Sequence, residues 1–162
     1  MKKLLALLTL IVTLQFTNAT AQSSFTVNGV EIPRTLEFKG KIMSLNGFGQ
    51  RSKLFMDLYV QALYVTQLSQ DAKQILDSQT EMAITLRITS GLVSSNKLSK
   101  ALEKGMEKSV GEEGMLKYAK ELKELEYLLS TEDTKIGDLF ELTLTLLMSR
   151  SGSRKTKITK EK

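Results

Sequence analysis

The most regular pattern of apolar and polar positions in the chain lies between Leu54 and Val65. Leu54, Met56, Leu58, Val60, Ala62 and Tyr64 fall on one side of a period-two alternation, which in a strand makes one continuous apolar face. The other side, Lys53, Phe55, Asp57, Tyr59, Gln61, Leu63 and Val65, mixes apolar bodies with polar ends. Such a face suits either solvent or the lining of a cleft. Before it comes Gly47-Phe48-Gly49, read as a glycine turn, then a lone basic group at Arg51. The strand is therefore expected over Leu54–Thr66.

The other elements follow from the same patterning. Phe25–Pro33 reads as two short strands about Asn28-Gly29, a dipeptide that readily takes the positive φ values of a tight hairpin turn. Pro33, the one proline, ends the second strand or confines it to an edge. Leu36–Ser44 is strand with a break at Gly40, and Glu81–Ile88 alternates cleanly. Asp71–Ser78 is a short helix with Ser69 or Asp71 as its cap. From Ser94 or Ser95, Leu98, Ala101, Leu102, Gly105, Met106 and Val110 recur at helical spacing up to a stop at Gly111. A second helix, Glu112 to about Ser130, carries Met115, Ala119, Leu122, Leu125 and Leu129 on one face. After a turn at Lys135–Asp138, Phe140, Leu142, Leu144 and Leu146 alternate in a last strand. Strands, then two amphipathic helices, then a strand describe an α+β fold: an antiparallel sheet with helices packed on one face. The apolar side of Leu54–Tyr64 is expected to meet those helices.

The two ends have other compositions. Lys2 and Lys3, the apolar run Leu4–Phe16 and the small residues Ala19-Thr20-Ala21 predict a bacterial-type secretory signal peptide over residues 1–21, cleaved after Ala21. The run is too short for a spanning helix, so no stable membrane insertion is expected after cleavage, and the location implied is periplasmic or secreted. Residues 148–162 hold six basic side chains and one acidic one with almost nothing apolar, and are expected to be a disordered tail. Between them residues 22–147 form one domain. Leaving out Lys2 and Lys3, 21 basic residues face 18 acidic ones, with most of the excess in the tail. No nucleic-acid partner follows from that balance.

Cysteine and histidine are both missing from the chain. Disulfides, Ser/His/Asp and Cys/His nucleophilic sites, and zinc sites built from cysteine or histidine are thereby excluded. No carboxylate-rich loop has the spacing for calcium or magnesium, so neither metal nor cofactor is called for.

The run L-N-G-x-G-x-R (Leu45, Asn46, Gly47, Gly49, Arg51), followed by F-x-x-x-Y-V-x-A-L-Y (Phe55, Tyr59, Val60, Ala62, Leu63, Tyr64), resembles the chalcone isomerase-like domain of exported bacterial proteins. Weaker elements fall in the expected order: Val30, Ile32 and Pro33, then Ala101, Gly105 and Met106, then Gly137 and Asp138. The resemblance spans about Val27–Leu146 and implies an open-faced β-sandwich with a cleft between sheet and helices. Plant flavonoid enzymes of the superfamily close a chalcone ring there, and non-catalytic members resemble fatty-acid carriers whose Arg and Tyr hold a carboxylate. By position, Arg51 matches the family arginine, and Tyr59 stands where the enzymes place threonine and the carriers tyrosine. The stretch between them is shorter than in the plant proteins.

The isomerases also need an Asn and a Tyr on the following helix. Asn96 lies near a helix start here, but Leu92–Val110 contains no tyrosine. The resemblance thus implies binding rather than catalysis, with no catalytic residue assigned. The implied ligand is a small amphipathic molecule with an anionic end, such as a fatty acid, held by Arg51 and Tyr59 with Phe55 and Leu63 as apolar walls. A chalcone-type intramolecular lyase and a structural or partner-binding envelope protein are the alternatives. The family usually continues with another strand and a closing helix, and the basic tail here stands in their place.

Overall fold

The computed structural model describes residues 23–130, 133–146 and 154–161; the expected signal peptide lies outside them. Its centre is a six-stranded antiparallel sheet in simple chain order: β3 (Thr35–Phe38), β4 (Lys41–Lys53), β5 (Met56–Val65), β6 (Met82–Ile88), β7 (Leu139–Leu146) and β8 (Arg154–Glu161). A separate hairpin, β1 (Ser24–Val27) and β2 (Val30–Pro33), forms its own two-stranded sheet. Among the described residues three helices complete the fold: α1 (Ala72–Asp77), α2 (Ser95–Lys117) and α3 (Ala119–Ser130). The sheet with helices gathered on one face is the α+β arrangement that the patterning predicts.

Local chemistry accounts for most boundaries. Asn28-Gly29 and Lys39-Gly40 both take positive φ (49° and 77°, 51° and 73°), closing β1–β2 and β3–β4 with two-residue turns whose twist suits a hairpin. The break expected at Gly40 is thus a reversal of the chain. Asp71 caps α1 by accepting from the N–H groups of Lys73 and Gln74, and Ser94 caps α2 by accepting from that of Lys97. At Gly111 (φ 65°, ψ −175°) the helical conformation stops, as the sequence predicts, and a second helical segment follows at once, so that α2 is two helices meeting at a kink.

Three expectations about the central stretch are corrected. Gly47 and Gly49 do not make a turn; β4 runs straight through them, and the reversal falls at Leu54-Phe55, the strand beginning only at Met56. Nothing in a Leu-Phe dipeptide announces a turn, whereas a pair of glycines does. The apolar side of β5 also faces the other way. Val60, Ala62 and Tyr64 are buried with Ile32, Met43 and Ala83, and Phe25, Val27, Val30 and Leu36 pack against them, so this side meets the β1–β2 hairpin. The mixed side faces the helices: Tyr59 and Leu58 pack on a second core of Leu86, Ile88, Val93, Leu98, Leu129 and Phe140. A periodic pattern identifies which side is buried but not which neighbour buries it.

Residues 154–161 correct the expectation of a disordered tail, because they pair along β7 from Leu139↔Glu161 to Leu146↔Arg154. An edge strand is held by its backbone, and a Lys/Thr-rich sequence loses nothing by it and resists pairing with other chains.

The hairpin is fastened to the sheet by specific contacts. The Tyr64 hydroxyl donates to the Pro33 carbonyl at 3.0 Å, the Arg34 guanidinium lies 4.2 Å from the centre of the Phe25 ring, and Phe25 and Phe48 pack at 5.4 Å. Among the described residues no helix is long and apolar enough to cross a membrane.

Candidate functional site

The register of β4 on β5 gives the L-N-G-x-G-x-R run a physical meaning. Gly47 lies opposite Leu63, Gly49 opposite Gln61 and Arg51 opposite Tyr59. Partners directly across an antiparallel pair share a face. Side chains also alternate along a strand, so all six positions lie on the helix-facing side. The face therefore carries, next to Tyr59, Gln61 and Leu63, two successive places without a side chain. A Cβ built at Gly47 or Gly49 would meet no atom within 4 Å, so the space above them is open. The result is a shallow trough along β4 that ends at the exposed guanidinium of Arg51. Glycine inside a strand weakens it and often marks the close approach of another molecule.

Beyond β5 the same face continues through Ile84 and Ile88 on β6 to Leu142 on β7, since Leu63 pairs with Ile84, Ile84 with Leu142, and Tyr59 with Ile88. The helices cover it unevenly: Ile88 is 1% exposed but Ile84 is 41% exposed. The apolar floor thus stays partly open at the Leu63–Ile84 end.

A bulge sets the position of Tyr59. Arg51 pairs with Tyr59 but Ser52 pairs with Asp57, so Leu58 has no partner on β4. The extra residue turns Leu58 toward the helix core alongside Tyr59, which is why the alternation expected through Leu58 is interrupted there. The Leu58 carbonyl instead accepts from the Thr89 N–H at 3.0 Å.

Of the four residues expected at the site, three share this face: Arg51 at the rim, Tyr59 half-buried and Leu63 half-buried four residues further along β5. Phe55 does not join them. It occupies the hairpin turn, fully exposed at positive φ, and cannot wall a pocket four residues away.

The opposite face holds a second feature. Between the β1–β2 hairpin and the sheet is a cavity of about 240 Å³, lined by Ile32, Leu36, Val60, Ala62, Tyr64 and Arg87 among others. Arg87 also borders a more open depression beside Gly29 and Gly137, and its Nη1 donates to the Gly137 carbonyl at 2.8 Å. The alternation of β6 places Arg87 on the side away from the helices. Which side would be roofed by the hairpin was not legible in the sequence. The Tyr64 pKa is raised: burial lifts it, a hydrogen bond with Thr85 offsets part of that, and the charge of Glu141 lifts it further. Among the described residues no cluster of carboxylates is placed to hold a metal ion.

The model of the chalcone isomerase-like family matches residues 24–160, and so takes in β8. The chain belongs to the chalcone isomerase-like family. A comparison with curated proteins finds no significant match. Among solved structures the fold is similar to the crystal structure of an Arabidopsis thaliana fatty-acid binding protein, with a TM-score of 0.56 and 16% identity over 74% of this chain and 72% of that one. At that identity the likeness speaks for the chalcone isomerase-like fold: a curled antiparallel sheet with helices on one side.

Proposed function

We propose that the chain is a non-catalytic carrier or sensor of a small amphipathic ligand with an anionic end, a fatty acid being the natural case. The observation that carries the reading is the pair of side-chain-free places at Gly47 and Gly49 on β4, which share one face with Tyr59, Leu63 and the exposed Arg51. An acyl chain laid along Gly47 and Gly49 meets the backbone closely and covers the exposed side of Leu63 and Ile84. Its carboxylate then reaches the planar donor fork of Arg51, with the Tyr59 hydroxyl within the same neighbourhood. Membership of the chalcone isomerase-like family and the fold shared with a fatty-acid binding protein support this reading.

The same arrangement argues against turnover. A lyase of the chalcone type needs groups that stabilise an enolate and move a proton, and Tyr59 stands where the resemblance places threonine in the enzymes. Extraction of the purified protein into organic solvent followed by mass spectrometry is expected to reveal bound acyl chains. A protein that is empty, and that also ignores added fatty acid, would refute the proposal.

The cavity beneath the hairpin favours a second reading, in which Arg87 rather than Arg51 receives the anion. Arg87 already donates to the Gly137 carbonyl at 2.8 Å, so this reading ranks behind the one at Arg51. Replacing Arg51 and Arg87 separately distinguishes the two.

A further inference from the structure

Among the described residues, three two-residue hairpin turns have positive φ at both positions, and they are built differently. Two follow the usual chemistry, Asn28-Gly29 and Lys39-Gly40. The third, between β4 and β5, is Leu54-Phe55, at φ 49° and 65°. Large apolar residues are among the worst choices for the left-handed region, and they gain nothing here by burial: Leu54 is 74% exposed, Phe55 fully so, and Met56 beside them 42%. A strained turn that displays its apolar side chains to water is a combination that folding alone does not favour.

We infer that the Leu54-Phe55 tip is a membrane-docking wedge, which enters the headgroup region of an anionic bilayer and holds the protein at the surface without crossing it. Three features select a bilayer over a protein partner. Two side chains of this size offer on the order of 300–400 Å², well short of the roughly 800 Å² per partner of a stable protein interface. A narrow protruding hairpin with Phe and Leu at its end has the right shape for shallow insertion at an interface. The charges flanking the tip leave a net positive balance that complements anionic lipid: Arg51 and Lys53 are exposed, against the single carboxylate of Asp57, which is drawn toward the β1–β2 turn by Asn28 Nδ2 at 2.7 Å. The wedge does not depend on the ligand reading, although the two sit on one hairpin: Arg51 is three residues from Leu54, about 10 Å along the strand.

The chain has no tryptophan, so Phe55→Trp places a single reporter at the tip. In the full chain, mixing this variant with vesicles of phosphatidylcholine and phosphatidylglycerol is expected to shift its emission to the blue and to allow quenching by brominated lipid. Tyr127→Trp, at an exposed helical position, should show neither. Adding Leu54→Asn to Phe55→Trp should weaken partitioning about tenfold, since one buried leucine is lost. A tip reporter that stays wet, or one that shifts no more than the Tyr127→Trp control, overturns the inference; so does a response that is unchanged by Leu54→Asn.

Discussion

Tyr64 shows how one side chain can serve both the fold and its pH response. It is 1% exposed and donates to the Pro33 carbonyl, so it pins the end of β2 onto β5. Tyr64→Phe removes that bond and leaves the carbonyl without it, a loss of about 1 kcal/mol measurable by urea denaturation. Burial, with Glu141 adding to it, raises the Tyr64 pKa above its ordinary value of 10.0. The folded state therefore keeps its proton at a pH where the unfolded chain has released it. Stability is unaffected below pH 10 and falls as pH rises above that value. The wild-type protein should lose melting temperature more steeply above pH 10 than Tyr64→Phe does, and parallel curves would contradict this. Leu54 and Phe55 supply the opposite case. Replacing them with Asn-Gly, the pair that already closes β1–β2, removes two unfavourable backbone conformations. It should stabilise the protein by about 1–2 kcal/mol, seen as a melting temperature several degrees higher.

At the scale of elements, β8 is what protects β7. Removing residues 154–162 would expose the backbone edge of Leu139–Leu146, so the shortened protein should be less stable and should self-associate, as light scattering would report. Element type was legible in the sequence wherever the period was unambiguous, as in Met82–Ile88 or the Leu98–Leu102 turn of α2. Three things were not legible, each for a physical reason. The Leu54-Phe55 turn uses residues that avoid turns. The pairing of 154–161 is made by backbone, to which composition is indifferent. The bulge at Leu58 depends on the register of β4, and a single strand's pattern contains no register. Gly47 and Gly49 read as a turn in the sequence and are strand in the structure, because glycine signals a turn more often than an empty place on a strand. In this trough a side chain can be restored without a clash, so Gly49→Leu is expected to fold normally, by circular dichroism and thermal melting, yet to lose bound fatty acid.

For the whole molecule, one sheet carries two differently covered faces. The β1–β2 hairpin covers one side over Val60, Ala62 and Tyr64 but leaves a cavity beneath it, and the helices cover the other over Leu86, Ile88 and Phe140 but leave Ile84 open. Of the four residues that the sequence suggests for a site, Arg51, Tyr59 and Leu63 lie on one face of the sheet and Phe55 does not. The reason is that Arg51, Tyr59 and Leu63 are linked by the hairpin register itself and need no distant element to bring them together.

The measurement that bears most directly on the proposed function is calorimetric titration of a long-chain fatty acid into the wild-type protein, Arg51→Ala and Arg87→Ala. Loss of a charged donor to a carboxylate is worth about 1.5–3 kcal/mol, so Arg51→Ala should bind about 10- to 150-fold more weakly. Arg87→Ala should bind as the wild type does. Full affinity in Arg51→Ala with loss in Arg87→Ala would move the site to the cavity beneath the hairpin, and no binding by the wild-type protein would end the ligand-carrier account.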